Sequence, residues 1–216
     1  MNSITVAHVN IDIYDGPLGI SVSGGADSAI LLYILMKYAP GPIHVYTCVS
    51  KVKNRTSSYT ALDVIGKCID MTGRKDNEIF HHSSFVDNMY TDNMYVLCRN
   101  HLDNNLINYV YSGLTTWPPL EVRDSFNIKP HRTEGVYIED RDSKVEKPLY
   151  AGRDNKFYAP FGNVNKSIVC EIYKELNVLE ELFPITRSCE SFILTEGHCG
   201  QCWWCEERQW GFGRLE

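Results

Sequence analysis

Glycines and small polar residues are concentrated in a short stretch near the start of the chain. The stretch consists of Ser23, Gly24, Gly25, Ala26, Asp27 and Ser28. Glycine lets the backbone approach a ligand closely, and a helix start offers unpaired N–H groups to an anion. The serine hydroxyls add donors, and the Asp27 carboxylate suits a Mg²⁺ ion that accompanies the anion. The stretch predicts a loop that binds a polyphosphate with its metal; the alternative is a plain turn between two buried elements.

Four of the eight cysteines lie close together towards the other end of the chain. They are Cys189, Cys199, Cys202 and Cys205. Four thiolates complete the tetrahedral coordination of Zn²⁺ and leave no position for water, so we expect a structural zinc site. An iron–sulfur cluster also takes four thiolates, and disulfides or cysteines without a ligand are the remaining alternatives. Because no secretory signal is evident, a reducing cytoplasm and a metal are favoured over disulfides.

The elements that must position these residues alternate along the chain. Strands are predicted over 18–22, 42–50, 79–85 and 157–161, helices over 26–38, 57–72 and 165–176, and over 100–111 either a helix or a helix passing into a strand. This alternation predicts an α/β fold, with helices on both faces of a parallel twisted sheet. The glycine-containing loop then lies at the carboxyl edge of the sheet, where open α/β folds bind ligands.

Composition and charge exclude several classes of function. The net charge of the 216 residues is −6, which argues against a general nucleic-acid-binding protein. The longest apolar run, 29–36, is far shorter than the roughly 20 residues that span a bilayer. We expect neither a membrane nor a nucleic acid as a partner. The charged segment 131–156 predicts a solvated loop or hairpin, and its functional alternative is a mobile lid over a site.

The residue order at 23–28 resembles the signature loop of the PP-loop ATP pyrophosphatases, which cleave ATP to AMP and pyrophosphate. The spacing and lysine of a Walker A loop are absent. The resemblance implies that Gly24, Gly25 and the hydroxyls of Ser23 and Ser28 hold the pyrophosphate part of ATP. It also implies that Asp27 organises Mg²⁺.

The two ends of the chain together resemble a narrower family, the 7-cyano-7-deazaguanine synthases of queuosine biosynthesis. The pattern S-C-x9-C-G-x-C-x2-C-x2-R at 188–208, the aromatic end at 210–212 and the stretches 159–161 and 165–168 carry this resemblance. Residues 98–100 resemble a degraded form of the family's Gly-Arg-Asn motif. The resemblance implies that Lys166 offsets charge on the ATP phosphates; the alternative is a solvated lysine at a helix start.

The resemblance implies a ligase that converts 7-carboxy-7-deazaguanine and ammonia to the nitrile through adenylated intermediates. Asp27 and Lys166 would be its catalytic residues, 1–180 its ATP-binding domain and 181–216 a helical zinc-binding segment. A homodimer is implied by the same resemblance. The family's Tyr-Pro-Asp-Cys-Arg stretch is missing, and Ser50–Lys53 replaces its tyrosine-glycine-glutamine stretch. Another adenylating enzyme (an amidotransferase or a sulfur transferase) and a non-catalytic nucleotide-binding protein therefore remain alternatives.

Recognition of the acid is expected along Arg99 to Pro119 and in the charged segment before Phe157. The tryptophans at 203, 204 and 210 would supply either a stacking surface for a flat heterocycle or, as we favour, the small core of the zinc segment. Arg208 would act in the site or pair with a carboxylate near the zinc.

Overall fold

The computed structural model describes residues 1–50, 57–86, 92–127, 149–151, 154–189, 191 and 197–216. The strands are β1 (Asn2–Val6), β2 (Val9–Ile13), β3 (Leu18–Ser21), β4 (Ile43–Ser50), β5 (Ile79–Val86), β6 (Tyr109–Ser112), β7 (Leu149–Ala151) and β8 (Phe157–Ala159). The helices are α1 (Ala26–Tyr38), α2 (Ser57–Thr72), α3 (Asp92–Asp103), α4 (Leu120–Ser125), α5 (Lys166–Glu175), α6 (Leu179–Leu182) and α7 (Trp203–Phe212), with a 3₁₀ turn at Asp76–Glu78.

One twisted sheet organises the molecule, with the strand order β5-β4-β3-β6-β8-β7. The first five of these strands are parallel, and β7 pairs antiparallel with β8 at one edge. The chain runs from β3 outward through β4 to β5, and then returns to place β6 on the other side of β3. The strand order therefore reverses between β3 and β6, which opens a crevice at the carboxyl ends of these two strands.

Helices cover both faces of the sheet, as the sequence predicted. Leu18, Ile20 and Val45 belong to the larger core cluster, which also contains most of α1 and the inner side of α2. Tyr46 points to the opposite face, where it joins Cys98 and Leu102 of α3 in a smaller cluster. The alternation of side chains along each strand separates these two cores.

The helix α1 is buried from Ala26 to Met36 with the exception of Asp27. Such a helix has no polar face to offer to water and is stable only between other elements. It lies against α2 and α5 on one face of the sheet, where it carries the loop that precedes it.

Most predicted elements are confirmed, and the ambiguous stretch 100–111 is the end of α3 followed by the start of β6. The hairpin β1–β2 was not predicted, although Ile11 and Ile13 are fully buried in the main core. Its turn residues Ala7 and His8 adopt positive φ angles of 47° and 63°. Such turns usually contain asparagine or glycine, so Ala7 and His8 carry no turn signal.

The charged segment contributes β7 at its end, and residues 128–148 and 152–153 lie outside the described residues, so its role as a lid stays a prediction. Within the described part of the chain, the helices are too short or too polar to cross a membrane.

Candidate functional site

The glycine-containing loop connects β3 to α1, at the carboxyl edge of the sheet. Gly24 has a φ of +80°, and a Cβ atom there would lie 2.8 Å from the Cβ of Thr60. Only glycine therefore fits this position without strain. Gly25 is the N-cap of α1. Because glycine has no side chain, no N-cap side chain accepts hydrogen bonds from the first N–H groups of the helix.

The serines of the loop order its backbone. The amide of Gly25 donates to Ser23 Oγ at 3.3 Å, and the hydroxyl of Ser28 donates to the Gly25 carbonyl at 3.1 Å. The two hydroxyl oxygens are 3.4 Å apart. Ser28 is buried whereas Ser23 is exposed. Ser23 is therefore the serine with freedom to turn towards a ligand, and Ser28 holds the loop in shape.

A small pocket of about 200 Å³ lies in the crevice between β3 and β6. Its walls are Ser21, Ser23, Gly25, Asp27, Ser28, Ser112, Gly113 and Leu114. A Cβ atom on Gly113 would lie 2.7 Å from the amide nitrogen of Ser28, so the chain after β6 packs closely on the first turn of α1. The pocket is smaller than the roughly 300–1,000 Å³ of organic ligand sites and suits a group of phosphate size.

A buried lysine lies between two carboxylates, one of which, Asp27, lines this pocket. Lys166 Nζ lies 3.0 Å from Asp27 Oδ2 and 3.4 Å from Glu207 Oε2. The side chain of Lys166 is only 4% exposed, and that of Glu207 is fully buried. The other carboxylate oxygen, Asp27 Oδ1, is buried and has no hydrogen-bond partner among the described residues. This oxygen fits a cation, because a buried carboxylate oxygen without a donor is unfavourable.

The lysine is positioned by α5 and α7. It is the first residue of α5, whose N-cap Asn165 accepts a hydrogen bond from the Ser167 amide. Gly211 of α7 packs directly on the lysine stem, since a Cβ atom there would lie 2.8 Å from Lys166 Cγ. The lysine is therefore buried rather than solvated at its helix start.

A larger cavity of about 820 Å³ lies between the first turns of α2 and the C-terminal segment. It is lined by Tyr59, Thr60, Asp63, Pro184, Ile185, Thr186, Arg187, Gly197, His198 and Glu216. The cavity adjoins the loop, because Thr60 packs on Gly24 and the Arg187 amide donates to the Gly24 carbonyl at 2.8 Å. Its volume lies within the usual range for small organic ligands.

The four clustered cysteines converge as the spacing predicted. Their sulfur atoms all lie within 4.8 Å of one another, and Cys199 Sγ and Cys205 Sγ are 3.9 Å apart. Four sulfurs at about 2.3 Å from one zinc ion are about 3.8 Å apart. The thiolates of a cubane iron–sulfur cluster bind four different irons and stand farther apart. The geometry therefore fits a single tetrahedral ion such as Zn²⁺.

The surroundings of the four sulfurs favour a bound cation. The amides of Ser191 and Cys199 donate to Cys189 Sγ at 3.3 and 3.4 Å, as they would to a thiolate. A hydrogen bond that the Cys205 thiol donates to Cys202, together with burial, raises the pKa of Cys205, and burial raises the pKa of Cys189. Thiolates at these positions therefore need a positive charge in their midst.

Arg208 and Trp203 support the cysteine segment. The buried guanidinium of Arg208 donates to the carbonyls of Phe183 and Leu215 and to Thr186 Oγ1, at 2.7–3.0 Å. Trp203 is 3% exposed and packs edge-on against the ring of Trp117. Arg208 thus binds backbone carbonyls and a hydroxyl rather than the expected carboxylate, and Trp203 packs in the core.

Several residues of the two sites were not predicted from the sequence. Glu207 was not singled out, and only the packing of α7 on α5 reveals it. Ser112 and Gly113 could have been found, since they form a second serine–glycine pair at the end of a strand. Arg99, which was expected near the acid, instead forms a bidentate ion pair with Asp154 at 3.0 and 3.2 Å.

No protein-family model and no curated protein sequence matches the chain. NMN synthetase from Francisella tularensis aligns with 92% of this chain and 78% of its own, with a TM-score of 0.43 and 15% identity. The U34-tRNA thiolase NcsA from Methanococcus maripaludis, solved with its 4Fe–4S cluster, aligns over 77% of this chain and 58% of its own, with a TM-score of 0.41 and 16% identity. An aureusimine biosynthetic cluster reductase domain aligns over 83% and 47%, with a TM-score of 0.29 and 13% identity. Similarities at this level assign neither a family nor a ligand.

Proposed function

We propose that the protein is an ATP-dependent enzyme that adenylates a carboxylate, and that its 23–28 loop holds the pyrophosphate part of ATP. The observation that carries the proposal is the pocket at the β3–β6 crevice, into which the start of α1 and Asp27 both face. Helix N–H groups and a positive dipole end favour a phosphate there.

Asp27 and Lys166 supply the charges that polyphosphate chemistry needs. Mg²⁺ retains several waters and usually takes one or two carboxylates together with phosphate oxygens. Asp27 Oδ1 would hold it, and the ion would neutralise charge on the phosphates. Glu207 also contacts the Lys166 ammonium group, so this group would stay in place while Asp27 binds the cation.

The proposed reaction uses these groups as follows. A carboxylate oxygen of the substrate attacks the α-phosphorus of ATP, and the bond from that phosphorus to the bridging oxygen of pyrophosphate breaks. Negative charge grows on the departing pyrophosphate, where the loop amides, the Ser23 hydroxyl and Lys166 stabilise it. Ammonia then attacks the acyl carbon and AMP leaves, which yields an amide and releases a proton.

We propose 7-carboxy-7-deazaguanine as the acid and its nitrile as the product. A second ATP would adenylate the amide oxygen, and loss of AMP and two protons in all would leave the nitrile. The residue patterns at both ends of the chain support this choice, and the 820 Å³ cavity beside the loop has room for the flat ring. Tyr59 and Arg187 in its walls offer a ring and a cation to such a ligand.

A zinc ion at the four cysteines is part of the proposal. Zinc bound by Cys189, Cys199, Cys202 and Cys205 would be structural, because the four sulfurs leave no open position. It would hold the start of α7, and with it Glu207. We also propose that 1–180 and 181–216 act as an ATP-binding domain and a zinc-binding segment of a cytoplasmic homodimer.

The test is mass spectrometry of the products after incubation with ATP, Mg²⁺, ammonium and 7-carboxy-7-deazaguanine. The proposal predicts the nitrile, AMP and pyrophosphate. Formation of the amide alone would limit the activity to the first step. ATP binding without any pyrophosphate release would instead identify a nucleotide-binding protein without turnover, and release with a different acid would identify another adenylating enzyme.

A further inference from the structure

Three histidines from separate elements meet on the sheet face that α3 covers. They are His44 of β4, His82 of β5 and His101 of α3. His44 is the second residue of its strand, so the cluster lies towards the amino end of β4, whereas the glycine-containing loop lies at the carboxyl edge. The three-histidine cluster is therefore separate from the proposed ATP site and from the four cysteines.

The ring nitrogens of these histidines converge. His44 Nδ1 and His82 Nε2 are 3.0 Å apart, and one nitrogen from each of the three rings lies within 4.8 Å of the others. Nitrogens bound to one zinc ion at about 2.0–2.1 Å are about 3.4 Å apart in a tetrahedral site. Shifts of a few tenths of an ångström up to about 1 Å would bring all three to bonding distance of a single ion.

Tyr46 orients the third ring. Its hydroxyl lies 2.6 Å from His101 Nδ1, and Tyr46 itself is fully buried. Histidine ligands of metals commonly use one nitrogen for the ion while a second group fixes the other nitrogen. Since Nδ1 of His101 is engaged, its Nε2 is the nitrogen left to bind an ion.

The protonation of the rings suits metal binding. Burial, together with the charges of the neighbouring rings, lowers the pKa of His44 to about 4 and also lowers the pKa of His82. Both rings are therefore neutral at pH 7 and have lone pairs available to a cation. All three histidines are only partly buried, so an ion can reach them from solvent.

We propose that His44, His82 and His101 form a second metal site that binds a divalent transition metal, with Zn²⁺ as the expected ion. Three imidazoles leave at least one coordination position open. That arrangement is found in zinc sites that bind water or another exchangeable ligand, in contrast to the closed four-cysteine site. The proposal does not depend on ATP chemistry.

Cobalt(II) titration tests this site, because Co²⁺ absorbs visible light and prefers similar ligands. The protein is first loaded with one zinc at the cysteines and freed of weakly held metal by desalting. Wild type should then bind one Co²⁺ per chain, with the weak bands of nitrogen and oxygen ligation rather than the intense ultraviolet bands of thiolate ligation. His44→Ala and His101→Gln should each weaken binding at least tenfold.

His81→Ala is the matched control. His81 is adjacent on β5 but faces the other side of the sheet, where its ring lies 3.0 Å from Thr47 Oγ1. This variant should bind Co²⁺ as wild type does, and thermal melting identifies any variant that fails to fold. His101→Gln replaces a half-buried ring on α3 with another polar side chain, so it tests the site without removing an apolar core residue. Wild type that takes up no Co²⁺ beyond the cysteine site would overturn the proposal, as would unchanged affinity in folded His101→Gln.

Discussion

The glycine-containing loop and the four-cysteine segment are held in shape by different means. The loop is fixed by α1, a helix buried in the main core, before any ligand arrives. The cysteine segment brings four sulfurs together in a polar stretch, and these sulfurs need a cation between them. Substitutions in the loop should therefore change chemistry while the fold persists, whereas substitutions of the cysteines should change the fold.

The two regions nevertheless depend on each other. Glu207, two residues after the ligand Cys205, lies 3.4 Å from Lys166, and Lys166 contacts Asp27 of the loop. Arg187, which lies two residues before Cys189, also donates its backbone amide to the Gly24 carbonyl. Loss of the metal should consequently reach the loop through these contacts, but loss of a loop side chain should leave the cysteines in place.

The largest effect is expected from Cys202→Ser. Zinc-coupled folding is worth about 10–16 kcal/mol in small zinc-finger peptides, so loss of one ligand should unfold the C-terminal segment. Elemental analysis should find one zinc per wild-type chain and much less in the variant, and limited proteolysis should cut near Trp203. Cys98→Ser, on the buried side of α3, is the control that should keep its zinc. Iron in the purified protein, or a folded metal-free protein, would contradict the zinc assignment.

Asp27→Asn should abolish ATP turnover and leave the melting temperature close to that of wild type. The substitution removes the charge proposed for Mg²⁺ but retains the size of the side chain, and the loop lies at the surface of a preformed sheet. Pyrophosphate release and circular dichroism measure the two properties. Unchanged release would exclude the role of Asp27, and a large loss of stability would contradict the contrast with the cysteines.

The stability of Gly24→Ala, compared with that of a control glycine, separates the cost of backbone conformation from the cost of packing in the loop. A residue with a side chain in the left-handed region costs about 1–2 kcal/mol, and here the added methyl group also meets Thr60. Gly73→Ala is the matched control, since Gly73 has a φ of +65° and no atom within 4 Å of the added carbon. Denaturant unfolding should show a greater loss of stability for Gly24→Ala. Equal losses would mean that Thr60 yields and that the loop is loosely packed.

Gly211→Ala should cost less stability than Gly24→Ala, because its contact with Lys166 is partly offset by the advantage of alanine over glycine inside a helix, and it should have a selective effect on turnover. The added methyl group would press on the stem of Lys166 and shift its ammonium group from Asp27. We expect roughly a tenfold loss of pyrophosphate release, the size of a modest misplacement of a catalytic group. Gly66→Ala, on an exposed part of α2 with open space around it, should keep full activity and gain about 0.5–1 kcal/mol of stability. Full activity in Gly211→Ala would contradict the proposed role of Lys166 in turnover.

Sequence reasoning succeeded where local signals define the structure. The apolar composition of 26–38 and the stop at Pro40 and Gly41 predicted α1 to its last residue, and Gly73 marked the end of α2. It missed what depends on tertiary packing. Glu207 reaches Lys166 only because α7 packs on α5, and the three-histidine cluster joins residues far apart in the chain. The two-residue spacing of His44 and Tyr46 predicts that both lie on one face of β4, but the sequence does not identify their partner on α3.

Transfer of a carboxylate oxygen to AMP tests the central claim most directly. The protein is incubated with ATP, Mg²⁺, ammonium and 7-carboxy-7-deazaguanine that carries ¹⁸O in both carboxylate oxygens, and the AMP is analysed by mass spectrometry. Adenylation of the acid and then of the amide predicts that each AMP formed carries one ¹⁸O atom and that the nitrile carries none. AMP without the label would show that water attacks ATP instead, and that result would contradict the account.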